Sequence, residues 1–215
     1  MTAKTRKIAV LTGDLVGSTA LGPAKVEQAF DALEACAEMQ ADWMDGQSLH
    51  FTRHRGDGWQ VALAEPKYAL RSALCFRASL KALGKEFDSY IGIAEGDAAL
   101  KASVSLNNAT DEVFVKSGRE LEYARTDHSE SRMHFTRHHR HEPAILLLDL
   151  IFGGWTPTQA ATMKTFLAIK SGRFLSDIAE ELGKSRQSVT KTLKAAGYEH
   201  IQEALLLVEL EHRHA

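Results

Sequence analysis

HFTRHRGDGWQVAL, residues 50–63, decides how the first half of the chain folds. A polar, basic run leads into Gly56-Asp57-Gly58, and an alternating apolar segment follows. Two short runs of strand character joined by a Gly-Asp-Gly turn make a β-hairpin. An acid between two glycines is open to two readings. It is an ordinary turn residue, because Asp tolerates turn geometry, or it is a carboxylate held at a hairpin tip to do chemistry.

Upstream, KIAVLTG (7–13) reads as a short buried strand ending at Gly13-Asp14. From Pro23 to about Trp43, the residues Val26, Ala29, Phe30, Leu33, Ala37 and Gln40 recur at helical spacing. Downstream, Pro66 opens a helix with Ala69, Ala73, Phe76, Leu80 and Leu83 inward and Gly84 as its stop. SYIGIAEG (89–96) is a further strand, a helix runs from about Asn108 to Ala124, and RMHFTR (132–137) is a last strand. Asp111 and Glu112 in the first turn suit the positive end of that helix. Pro23, Pro66, Pro143 and Pro157 all stand at the start of predicted helices. The order β, α, β-hairpin, α, β, α, β is a split β-α-β arrangement of the ferredoxin-like kind, an α+β fold.

In that layout the hairpin strands flank the first strand, so the hairpin tip comes close to the first strand's end. Asp57 is thereby brought toward Asp14 of LTGDLVGSTAL. Alone, Asp14 reads as a helix-capping acid. As a pair, the carboxylates suit Mg²⁺ or Mn²⁺, hard cations that take carboxylate oxygens together with substrate phosphates. Gly17-Ser18-Thr19, leading toward a helix start, would offer backbone N–H groups to a phosphate.

These residues resemble class III adenylate/guanylate cyclase catalytic domains. VLTGDLVGSTAL is similar to the family's F-x-D-I-x-G-S-T-x-L segment, RHRGDGWQVAL to K-x-x-G-D-G-F/W-x-A/V, and IGIAEGD to a G-I-x-x-G strand. The resemblance covers about residues 7–125 and implies a ferredoxin-like palm domain with Asp14 and Asp57 as the metal-binding aspartates. It implies a nucleotide ligand near Gly17, Ser18, Thr19 and Arg53, and places the family's transition-state arginine on Arg119. Two positions depart from the pattern. The base-selecting lysine falls on Arg53, which is not a compact donor. The ribose-orienting asparagine falls on Val115, which offers no hydrogen bond and so disfavours cyclisation more than nucleotide binding.

After about residue 140 the texture turns helical, with a polar, His-rich seam RTDHSESRMHFTRHHRHEP. The expected division is a palm domain over 1–140 and an all-α domain over 141–215. Within the latter, LSDIAEELGKSRQSVTKTLKAAG (175–197) resembles the helix-turn-helix of bacterial transcription regulators. Ser176 is the expected cap of its first helix, Gly183 the sharp turn and Ser185 the cap of the second, with Val189 and Leu193 buried. The other face offers Arg186, Gln187, Ser188, Thr190, Lys191 and Lys194, with Lys184 just before it. Four cations and no acid lie between Lys184 and Lys194. Arg and Gln suit base edges in double-stranded DNA, and Lys191 and Lys194 suit phosphates. A homodimer on paired half-sites is the expected partner state. The whole layout resembles small SatD-like bacterial proteins, in which a degenerate cyclase-like domain precedes a helix-turn-helix.

Bulk properties frame these readings. The 215 residues carry a net charge of −2, with 44% hydrophobic and 25% charged residues, so DNA contact must come from local charge asymmetry. Cys36 and Cys75 sit in apolar helical patterns and read as core thiols in a reducing compartment. AILLLDLIFGGW, broken by Asp149, is shorter than the roughly 18–20 residues of a membrane span. With no signal-peptide pattern, the expectation is a cytoplasmic protein without a membrane partner. HFTRH occurs at 50–54 and at 134–138, and if those strands were neighbours they would share a basic face. The histidines of 128–141 read as a solvated linker before a metal site. The leading expectation is a DNA-binding transcriptional regulator whose palm domain senses a nucleotide or serves for dimerisation. The alternative is an active cyclase converting ATP or GTP to a cyclic nucleotide and pyrophosphate.

Overall fold

A computed structural model of the chain describes residues 5–41, 43, 50–54, 56–99, 106–126, 131–136, 142–168 and 174–212. In chain order the elements are β1 (Arg6–Leu15), α1 (Ser18–Leu21), α2 (Pro23–Ala41), β2 (His50–Arg53), β3 (Gly58–Leu63), α3 (Ala69–Lys81), β4 (Ser89–Ala98), α4 (Glu112–Thr126) and β5 (Met133–Phe135). The helices α5 (Glu142–Gly153), α6 (Pro157–Leu167), α7 (Leu175–Glu181), α8 (Arg186–Ala195) and α9 (Tyr198–Glu211) follow. The sheet order is β2-β3-β1-β4-β5. Among the first four strands each neighbouring pair is antiparallel, as the split β-α-β layout requires, and β5 joins β4 in parallel.

The period of two along β1 sorts its side chains. Ala9, Leu11 and Leu15 join the apolar cluster of α2 and α3, whereas Ile8 and Val10 join Val113 and Phe114 beneath α4. Both strands that carry HFTRH lie on the sheet, but β2 and β5 occupy opposite edges, so the shared basic face does not form. The predicted helix start near Asn108 is later: Leu106–Asn108 form a short 3₁₀ turn and α4 begins at Glu112.

The helices after residue 142 do not stand apart as a separate all-α core. Helix α3 lies between the sheet and α6, and every one of its 13 residues is buried. A single apolar cluster runs from Leu11, Trp59 and Phe76 to Phe152, Trp155, Leu167, Val189 and Leu205. The charges of α3 find partners on the C-terminal helices. Arg71 pairs with Glu209 at 2.6 Å, Arg77 pairs with Asp149 and with Asp88, and Lys81 donates to the carbonyls of Phe152 and Gly153.

Ser176 does not cap α7. Phe174 occupies the N-cap position, and its backbone N–H donates to the Asp177 carboxylate at 2.7 Å. Gly183 takes the left-handed conformation at φ 60°, and Ser185 accepts from the Ser188 N–H at 3.2 Å, capping α8. Cys36 and Cys75 are both buried free thiols, and burial pushes the Cys36 thiol up to about 11. No helix among the described residues is long and apolar enough to cross a membrane.

Candidate metal and nucleotide site

Asp14 and Asp57 meet because the ladder between β1 and β3 continues to its very end. Asp14 is the Cα partner of Gly58, and the Leu15 N–H donates to the Asp57 carbonyl at 3.2 Å. Gly56, at φ 81°, supplies the left-handed residue that turns the hairpin just before the acid. The glycine before Asp14 has a different reason. A Cβ on Gly13 would sit 2.0 Å from the Trp59 ring, which lies across it, fully buried, with its indole N–H donating to Ser89 at 3.0 Å. The hairpin's tryptophan thereby holds β1, β3 and β4 together beside the two acids.

The electrostatics follow from that proximity. Burial first, and the neighbouring Asp57 carboxylate second, push Asp14 up to about 6, against the pull of Arg125. The Arg125 guanidinium, in the last turn of α4, lies 3.5 Å from Asp14. On the other side the Ser18 hydroxyl donates to the Asp57 carboxylate. Two carboxylates side by side at a half-buried strand end offer oxygen-only donors that fit a hard divalent cation. Asp14 and Asp57 would hold it. Among the described residues no group of three or more His, Cys, Asp or Glu side chains could hold a metal, so remaining ligand positions would fall to water and substrate phosphate.

The other expected residues are placed as follows. Gly17 is left-handed at φ 62° before the four-residue α1, and Thr19 is exposed. Arg53 is engaged elsewhere: it pairs bidentately with Glu27 at 2.6 and 2.8 Å and its guanidinium lies 3.8 Å over the Phe30 ring, fastening β2 to α2. Arg119 is exposed on α4, one turn from exposed Val115, and makes no hydrogen bond or ion pair among the described residues. Arg125 is the arginine that reaches the aspartates, and sequence reasoning missed it because the expected helix ended at Ala124. Ser18 was expected to offer backbone alone, while its side chain holds Asp57. Of the His-rich segment, His128, His138, His139 and His141 lie outside the described residues.

The shifted carboxyl yields a prediction. Its folded value is raised above the ordinary value of 3.8, so the fold favours the protonated form. Asp14's contribution to stability is present below about 3.8 and lost as pH rises through about 6. Asp14→Asn therefore stabilises the chain at pH 7.5 by about 1 kcal/mol, discounted for a half-buried site, or about 2–4 °C in Tm. The gain fades near pH 5. Thermal melts at the two pH values measure it, and an equal gain at both would contradict the assignment.

Comparison with known proteins adds the following. No family model and no curated protein matches the sequence. Among solved structures, the guanylyl cyclase Cya2 is similar over 57% of this chain and 73% of that one, at 17% identity and a TM-score of 0.43. Two structures of bacterial light-regulated adenylyl cyclases are similar over 64% and 68% of this chain, each at 15% identity and a TM-score of 0.44. The match spans 45% of each of those two longer chains.

Proposed function

We propose that the first half of the chain is a divalent-cation and nucleoside-triphosphate site of the nucleotide cyclase kind. The observation that carries this reading is the meeting of the Asp14 and Asp57 carboxylates at the joint end of β1 and β3, where burial first and the Asp57 charge second lift Asp14 to about 6. Once bound, Mg²⁺ or Mn²⁺ would neutralise phosphate oxygens and lower the barrier to attack at phosphorus. Ser18 orients Asp57, Trp59 fixes the hairpin, and Arg125 supplies a cation within reach of phosphate charge. Val115, exposed and without a polar atom, cannot orient a ribose, so turnover is slow relative to binding. The test is incubation with ATP or GTP and Mn²⁺ or Mg²⁺, with cyclic nucleotide measured in the wild type and in Asp57→Ala. Product from the wild type and none from the variant is expected. Equal product from both removes Asp57 from the chemistry, and neither product nor nucleotide binding removes the reading.

A second reading, DNA binding, rests on α8. Val189 and Leu193 are buried, which turns Arg186, Gln187, Lys191 and Lys194 outward on an exposed face. None of these cations makes an ion pair among the described residues. The reading takes double-stranded DNA as partner, with Lys184, Ser185, Ser188 and Thr190 flanking the contact, and a homodimer to present two such helices. Lys191→Ala with Lys194→Ala should weaken duplex binding and reduce the salt slope by about 2. Arg186→Ala with Gln187→Ala should relax sequence preference. Unchanged affinity and slope in all four substitutions would sink the assignment.

A further inference from the structure

Beside Arg125 a cleft of about 950 Å³ opens between the ends of α3 and α4, the starts of β4 and β5, and α5. Five of its 13 lining residues are cations and one is an acid, in a chain whose net charge is −2. The acid is committed: Asp149 accepts from buried Arg77 and from the Arg132 backbone N–H at 2.6 Å. Two of the cations are committed as well, Arg77 to the acids and Lys81 to backbone carbonyls.

Three cations remain to face the opening. Lys85 is exposed and makes no ion pair among the described residues. The Arg132 side chain is 39% exposed, with one nitrogen on Asp88. Arg125 is 46% exposed and loosely held, at 3.5 Å from Asp14 and 3.8 Å from Glu122. Apolar side chains line the same cleft: Leu146 and Leu150 are 43% and 74% exposed, and the Tyr90 ring lies 6.0 Å from the Arg132 guanidinium. Three like charges lining one concave surface repel one another unless an anion joins them. Exposed leucines in the same cleft suit the apolar body of the same ligand.

We propose that this cleft binds a small phosphate-bearing ligand of the nucleotide class, with its phosphates on Lys85, Arg125 and Arg132 and its base toward Tyr90, Leu146 and Leu150. The site adjoins the Asp14–Asp57 pair through Arg125, takes its other cations from Lys85 and Arg132, and needs no divalent cation.

The test is calorimetric titration of the full chain in EDTA with pyrophosphate and with ADP. Both bind, ADP the tighter. Lys85→Glu lowers the affinity for each by about tenfold or more, a loss of about 1.4 kcal/mol. Leu150→Ser, at an exposed position, weakens ADP and leaves pyrophosphate unchanged. Asp57→Ala changes neither, so failure of the cation site and failure of the cleft are read separately. Binding that appears only with Mg²⁺, and that Asp57→Ala abolishes while Lys85→Glu does not, overturns the proposal. So does the absence of binding for both probes at millimolar concentration.

Discussion

Arg77→Met destabilises the chain by about 3–5 kcal/mol, the range for leaving buried charges without a partner. The Arg77 side chain is 1% exposed. It donates to both oxygens of Asp88, at 2.8 and 2.9 Å, and to Asp149, while its guanidinium lies 4.1 Å over the Phe152 ring. Burial by itself would raise Asp88, but the Arg77 charge and its hydrogen bonds, followed by Arg132, hold it below the usual carboxylate range. In the wild type this contribution is present above the unfolded value of 3.8 and lost as pH falls through the lower folded value. The variant reverses the sign. Asp149 loses its only cationic side-chain partner among the described residues, and Asp88 keeps only Arg132 as a cation, so burial is left to favour the protonated form of Asp88. The deficit should shrink on acidification, as the stranded Asp88 carboxyl takes up a proton. Urea unfolding at two pH values measures both parts. A loss below about 1 kcal/mol, or one that ignores pH, would show that the ion pairs do not hold α5 to α3.

Gly92→Ala is expected to cost more than about 3 kcal/mol, at the upper end for overpacking. A Cβ there would lie 2.1 Å from the Leu121 backbone nitrogen and 2.2 Å from the Ser117 carbonyl oxygen. Both obstacles are backbone of α4, so relief requires the whole helix to lift from β4. Arg125, in the last turn of α4, would then leave Asp14, and the cleft would lose one wall. Gly118→Ala is the control within the same helix. An added Cβ there meets nothing within 4 Å, and alanine favours helix over glycine by about 0.5–1 kcal/mol. Chemical denaturation should therefore separate the two glycines by several kcal/mol in opposite directions. Equal effects would mean that α4 does not press on β4 as closely as the structure has it.

Much of the first half was legible because its signals are local. A period of two around Gly56-Asp57-Gly58 marks a hairpin, and prolines at helix starts punctuate the rest. The approach of Asp57 to Asp14 was expected from both hairpin strands flanking β1, whereas only β3 pairs with β1 and β2 lies beyond it at the sheet edge. The differences lie where a side chain's partner is remote or a neighbouring carboxylate competes. Arg53, expected from the resemblance to lie near a nucleotide, pairs with Glu27 and covers Phe30 on α2. Ser176 is a good cap by composition, but the Asp177 carboxylate reaches back to Phe174 and starts the helix earlier.

The sequence by itself determined the order of strands and helices, the hairpin that carries Asp57, and the outward basic face of α8. Each depends on residues no more than a few positions apart, where periodicity and turn chemistry act. The tertiary structure alone decided that α3 is buried on all sides, that Arg125 serves Asp14, and that cations converge on a cleft. Those outcomes join residues 11, 72 and 138 positions apart, as in Arg77 with Asp88, Arg77 with Asp149 and Arg71 with Glu209. A buried charge must find a counter-charge wherever the chain brings one, and no local pattern announces where that is.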